Sequence, residues 1–240
     1  SCSAKLPIYG MFTMAFFPNH AGIVMISVYI IGIIVAILSG LLLKNTVFRG
    51  KPVPFVMELP AYRIPSAKSV LLHMWEKAKD FIRKAFTIIF LASMVIWFLQ
   101  SFDWSFNLVT DNTTSMLASI GKFIAPIFTP LGFADWRAST ALITGITAKE
   151  TVVSTFTVLT GASTNAELTT MLHMVFPSTL TAFSFLVFTV LYMPCIAAFA
   201  ASRRELGSMK SALGTALFQT SMAYLVSLVI FQVGRLILGI

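Results

Sequence analysis

Nine serines and threonines crowd the 22 residues Ser139–Thr160. Five of them, Thr140, Thr144, Thr147, Thr151 and Ser154, recur at spacings of four, three, four and three, which is one face of an α-helix. Glu150 adjoins that face and Lys149 precedes it. An ionisable group inside a membrane segment is costly unless it faces a bundle interior or a wet cavity. A hydroxyl stripe with Glu150 beside Thr147 and Ser154 is therefore read as a polar pathway helix with the carboxylate turned inward. The plainer alternative is structural: hydroxyls bonded back to the helix's own carbonyls, and Lys149 and Glu150 paired with neighbours. The stripe points to transport and leaves the cargo unnamed.

Tyr192-Met-Pro-Cys195 is a second candidate, set inside the charge-free run Ser178–Ala201. Pro194 removes one backbone donor and frees a carbonyl upstream. In membranes such breaks line cavities, and interrupted helices form the midplane sites of secondary transporters. The Cys195 thiol beside the break is a soft ligand; its ordinary alternative is a buried cysteine acting as a small hydrophobe. Ser1-Cys-Ser-Ala-Lys-Leu-Pro-Ile-Tyr9 holds the same ingredients around Cys2 in another order. No CxxC, HxxxH or HExxH spacing occurs, which leaves a preformed zinc-type site without support. His20, His73 and His173 stand alone. The sequence has no P-loop and no dinucleotide fingerprint, and no nucleophile–base pair or metal triad of a membrane enzyme is visible.

These residues need a scaffold, and the composition says which. Of 240 residues 57% are hydrophobic and 11% charged, against about 25% charged in soluble domains; the mean hydropathy is +0.87. The class is an all-α, polytopic integral membrane protein with broken helices. Two cysteines exclude a disulfide scaffold. The formal charge is +8, but the cations sit in the breaks between apolar runs and form no patch among aromatics, so nucleic acid is not a partner.

Ala21–Leu43 and Ala212–Gly234 are charge-free runs of spanning length, and another span is expected near Ala85–Leu99. Met11–Phe17 reads as the tail of an earlier span. Lys44–Lys84 carries nine Lys/Arg and three Asp/Glu. After Pro65 its apolar positions Leu71, Met74, Trp75, Ala78 and Ile82 follow helical spacing, with Lys68, Lys77, Lys79 and Arg83 for the wet side: an amphipathic helix at the cytoplasmic interface. Ser101–Ser115 and Gly161–Pro177 contain no Lys or Arg and are expected outside; Lys44–Lys84 and Ser202–Lys210 are expected inside. Leu117–Thr160 must then enter and return, either as two thin spans or as a re-entrant pair turning near Gly132–Arg137, with Pro126 and Pro130 kinking its first half. The chain opens on Ser-Cys-Ser with no signal peptide, and it reads as cut from a longer protein.

Five segments in order resemble the ferrous iron transport protein B (FeoB) family. They are Ser1–Tyr9; Phe55-Val-Met-Glu-Leu-Pro-Ala-Tyr-Arg-Ile-Pro65; Pro126-Ile-Phe-Thr-Pro-Leu-Gly-Phe-Ala-Asp-Trp-Arg137; Gly145-Ile-Thr-Ala-Lys-Glu-Thr-Val-Val-Ser154; and Tyr192-Met-Pro-Cys-Ile-Ala197. The resemblance covers nearly the whole chain. It implies the C-terminal part of a membrane domain of two gate regions, importing Fe(II) across the bacterial cytoplasmic membrane. Residues 1–43 would be the end of the first gate region and a transmembrane helix, 44–84 the basic cytoplasmic loop, and 85–240 the second gate region. Cys2 and Cys195 fall on family positions proposed to line the ion path, and Glu150 joins them here as a transient ligand. No cofactor is expected on this chain; GTP and Mg belong to an N-terminal G domain of the full-length family. That G domain, small cytoplasmic Feo proteins, the lipid bilayer and a second copy of the chain are the partners implied. A gate-type carrier for a nucleoside or another divalent metal, and a non-transporting membrane scaffold, are the rival readings.

Overall fold

The computed structural model describes residues 2–46, 64–84, 87, 90–109, 112–162 and 164–239, and no strand is present among them. Helix α1 (Leu6–Phe16) opens with Pro7 in its first turn, where a missing N–H costs nothing. Helix α2 (Ala21–Thr46) has 26 residues, about 39 Å of rise, and spans as expected. Helix α3 (Ala67–Lys84) follows Pro65 and leaves Leu71, Met74, Trp75 and Ile82 exposed, so its apolar face is free to lie on lipid. Most of the Phe55–Pro65 motif lies outside the described residues. Helix α4 (Phe90–Ser101) overlaps the stretch where a span is expected near Ala85–Leu99, but its 12 residues are shorter than a span. A tight loop follows, held by Asp103, whose Oδ1 accepts from the amides of Ser105 at 2.8 Å and Asn107 at 2.9 Å.

Helix α5 (Met116–Ile124) is capped by Ser115 and passes at Pro126 into a 3-10 turn, Ala125–Leu131. The two prolines exclude α-helical bonding there. The chain then turns through 105° into α6 (Trp136–Thr147), so the turn expected near Gly132–Arg137 is present. Gly132 makes it: φ is +90°, and a Cβ would fall 2.2 Å from the Phe231 ring. Helices α7 (Thr151–Thr160), α8 (Asn165–Val175), α9 (Thr179–Leu191), α10 (Ile196–Leu206) and α11 (Met209–Leu238) complete the order.

Three expectations about elements need correction. Ser139–Thr160 is not one helix: Ala148 is extended, with φ −149° and ψ 136°, and α7 folds back against α6. Gly161–Pro177 is not merely a loop, because a capping box of Thr164 and Glu167 starts α8 within it. Ser202–Lys210 is largely helical, since α10 continues to Leu206 before Gly207 ends it at φ +64°. Absence or excess of Lys and Arg reports a side of the membrane and is silent on backbone conformation.

The core is aromatic and lies where α1, α7, α8 and α9 meet. Phe12 of α1 stacks on Phe185 of α9 at 5.1 Å and meets Phe176 edge-on at 5.2 Å. The first helix is thereby seated inside the second half of the chain. By contrast, Val28 is the one buried residue of α2.

Candidate ion site at the interrupted span

Helices α9 and α10 form one apolar unit, Thr179–Leu206, long enough to cross a membrane. Its ladder stops at Leu191 and resumes at Ile196. Thirteen residues of α9 rise about 20 Å, so the gap falls inside the apolar unit and not at its end. In an uninterrupted helix the amide of residue 194 would bond the carbonyl of Val190. Pro194 has no N–H to give. The Val190 carbonyl instead accepts from the Lys5 ammonium. Beyond it the Met193 carbonyl accepts from Lys149 Nζ at 2.9 Å. Two of the acceptors exposed by the break are thus held by lysines from other elements.

Lys149 is 2% exposed. Its ammonium lies 3.1 Å from the centroid of the Tyr192 ring, a cation–π contact that offsets part of its desolvation. Tyr192 stacks on Phe188 at 5.4 Å and donates its hydroxyl to Leu142 O at 3.1 Å. That bond ties the break to α6. Gly145 permits the approach, since a Cβ there would sit 2.5 Å from the Tyr192 hydroxyl and 2.6 Å from Val152.

Cys195 caps the start of α10 and is half-buried; Cys2 precedes the 3-10 turn Ser3–Lys5 and is exposed; neither is in a disulfide. The two thiols are far apart in sequence: Cys2 lies three residues before Lys5, which bonds Val190 O, and Cys195 follows Pro194 at the same break. Cavities border the place on two sides. One, of about 650 Å³ between α2, α9 and α11, is lined by Lys5, Tyr29, Tyr192 and Pro194. Another, of about 430 Å³, is lined by Cys2, Tyr9 and Tyr29.

Glu150 does not face the interior. Its side chain is exposed, while Lys149 enters the core. The extended backbone at Ala148 turns the chain and sends the two neighbouring side chains in opposite directions. Among the described residues no three of His, Cys, Asp and Glu group closely enough to hold a metal ion. The hydroxyl stripe, however, does assemble. Thr144, Thr147, Thr151 and Ser154 line one cavity of about 170 Å³ with Ser93 and Gln100 of α4. Thr144 and Thr155 hydroxyls bond across the α6–α7 hairpin at 2.7 Å. Thr147 and Thr151 donate to Thr144 O and Ala148 O, each at 2.7 Å. The structural alternative is therefore present alongside the cavity. A hydroxyl that spends its proton on a carbonyl keeps lone pairs, so this wall is rich in acceptors.

Lys5 and Lys149 are the site residues that sequence reasoning passed over. Their signal was a lone cation in each of two apolar motifs, one three residues from Cys2 and the other beside Glu150.

An apolar span broken at proline, with a bent helix pair and cavities beside it, belongs to a helical membrane protein with interrupted helices. Residues 82–209 match the Gate family model, described as nucleoside recognition, and residues 25–77 match the model described as ferrous iron transport protein B C terminus. The chain belongs to the Gate family and carries the FeoB C-terminal region ahead of the Gate segment. It is 38% identical over 244 residues to the Fe(2+) transporter FeoB of Methanocaldococcus jannaschii, covering 99% of this chain and 36% of that protein. It is 37% identical over 252 residues to the Fe(2+) transporter FeoB of Campylobacter jejuni, covering 100% of this chain and 41% of that protein. The Fe(2+) transport protein A/FeoB fusion protein of Porphyromonas gingivalis is 36% identical over 284 residues, with 98% and 33% covered. The chain thus spans between 33% and 41% of the length of these curated relatives. No solved structure is significantly similar to it.

Proposed function

We propose that this chain forms part of the membrane path of an Fe(II) importer, with the ion passing Cys2 and Cys195 at the α9–α10 break. The observation that carries this reading is the interruption of one span at Pro194, where Cys195 opens α10 and Lys5, three residues after Cys2, bonds the Val190 carbonyl. Relatives named as Fe(2+) transporters supply the cargo. Fe(II) accepts sulfur and oxygen ligands and lies low in the Irving–Williams order. Thiols alone would hold Zn(II) or Cu more tightly, so selectivity rests on supply, geometry or gating. Two thiols and a few carbonyls make a sparse ligand set, as a site that must release its ion requires. The acceptor-lined threonine cavity between α4, α6 and α7 is a second polar station, and Glu150, exposed at its edge, would draw cations toward the entrance.

The wider machine is proposed from the same relatives. It works by transport, not by catalysis on this chain, in the cytoplasmic membrane. An N-terminal G domain would bring GTP and Mg. Small cytoplasmic Feo proteins are proposed partners, consistent with a relative fused to Fe(2+) transport protein A, and a homo-oligomer is compatible with the exposed face of α2. The deciding experiment is Fe(II) uptake into vesicles holding the complete gene product. Uptake that falls about tenfold in Cys195→Ser, the order of losing one good ligand contact, supports the thiol path. Unaltered uptake in Cys195→Ala with a thiol that no aqueous reagent reaches would end it. The matched Gate description and the 650 Å³ cavity, a volume suited to a small organic molecule, favour a nucleoside carrier as the second reading. Nucleoside accumulation without iron uptake would select it.

A further inference from the structure

We infer that Lys5 and Lys149 are tethered cations that occupy the acceptors of the α9–α10 break at rest and compete there with the arriving divalent ion. The inference rests on the reading that the ion passes the thiols, and it concerns what stands in its way.

Three observations carry it. First, the ammonium groups take two of the acceptors that the break exposes. Val190 O is unserved because residue 194 is proline, and Lys5 bonds it. Met193 O lies within the gap, and Lys149 bonds it at 2.9 Å. A permeating cation seeking oxygen beside Cys195 meets groups already filled by charge of its own sign. Second, among the described residues no carboxylate pairs with either ammonium. Among the described residues the ion pair present is His73–Glu76 on α3, and Glu150 points away from the interior. Third, the dipoles add to the barrier. Cys195 stands at the N-terminal end of α10, where orphan amides place partial positive charge. Burying an unpaired ammonium is expensive, and Lys149 is buried with a carbonyl and an aromatic face for company. A lysine kept there only to pack would do better as methionine.

The consequence is a site closed by default. An incoming divalent ion gains thiol and carbonyl ligands only as an ammonium withdraws. The 650 Å³ cavity that Lys5 lines gives that side chain room to swing.

The test uses the complete gene product in lipid vesicles, with Cys195 as its single reactive cysteine. Its modification rate is measured with a cationic and a neutral methanethiosulfonate of similar size, and the ratio of the two rates is taken. Lys149→Met is expected to raise that ratio about tenfold, the order expected for one unit charge removed from a partly buried site. Lys149→Arg is expected to hold it at the wild-type value. Lys5→Met supplies an independent measurement should Lys149→Met fail to fold. A ratio unchanged in the methionine variants overturns the inference, as does a ratio that arginine raises equally. In a second measurement Fe(II) protects Cys195 from the neutral reagent. Competition predicts protection at about tenfold lower Fe(II) in Lys149→Met, and protection at the wild-type concentration overturns it. The rate ratio is read without iron. Vesicles that take up no Fe(II) would therefore sink the import reading while the charge barrier is still measured on its own.

Discussion

Cys195 and Lys149 divide the chemistry of the break between a soft ligand and a hard charge. Serine in place of Cys195 keeps the volume and loses the sulfur. Fe(II) flux should fall while membrane insertion, read by protease protection, stays normal. Tyr192→Phe removes the bond to Leu142 O and should cost about 1 kcal/mol of stability, the usual worth of one such bond, measured by denaturant titration in detergent. Glu150→Gln should leave maximal flux unchanged and raise the Fe(II) concentration needed for half of it, because the carboxylate is exposed and acts only on supply; loss of maximal flux would restore it to the path. At this scale Pro194 and Cys195 were legible, since what proline does to a helix is a local matter. The direction of Lys149 was not. It depends on the extended backbone of Ala148, and that in turn depends on acceptors 44 residues away. Swapping which of two adjacent charges faces inward takes only one turned peptide.

The α6–α7 hairpin and the α9–α10 break are joined elements. Tyr192 bridges them, and Gly145 leaves the space for it. Gly145→Ala would place a methyl group 2.5 Å from the Tyr192 hydroxyl. The expected cost is about 1–3 kcal/mol, as for other overpacked cores, with Tyr192→Phe recovering part of it in the double variant. Failure of the two to couple would show that they do not share the contact. Periodicity misled at this level for an instructive reason. Thr144, Thr147, Thr151 and Ser154 keep helical spacing across a turn, because the hairpin returns both arms to one cavity. Four of the five stripe residues therefore share a cavity although the element was misread, while Thr140 bonds back to Trp136 O at 2.8 Å. The start of α8 was readable in Thr164 and Glu167, three apart; the reading passed over it because the stretch was judged by its lack of cations.

At the scale of the molecule, three helical units among the described residues are long and apolar enough to cross a membrane, and a fourth is present if the bent pair counts as one. The all-α polytopic class was plain from composition, whereas the seating of α1 in the core through Phe12 rests on long-range packing that no local pattern encodes. Orientation is testable directly. With native cysteines removed, Ser105→Cys should react with an impermeant maleimide in intact cells and Glu205→Cys only after lysis, as the Lys/Arg distribution requires; the reverse pattern would invert the topology. Pro194 has one more consequence, and it concerns time. The lack of a backbone partner for the Val190 carbonyl follows from the covalent structure of an imino acid, so it exists as soon as the chain is made. No cargo has to melt a helix to create it, and no binding energy is diverted to opening the backbone. What remains to be moved is a side chain, and side chains rearrange in picoseconds to nanoseconds when exposed, against microseconds to milliseconds for helices. A path built this way can be firmly closed and still quick.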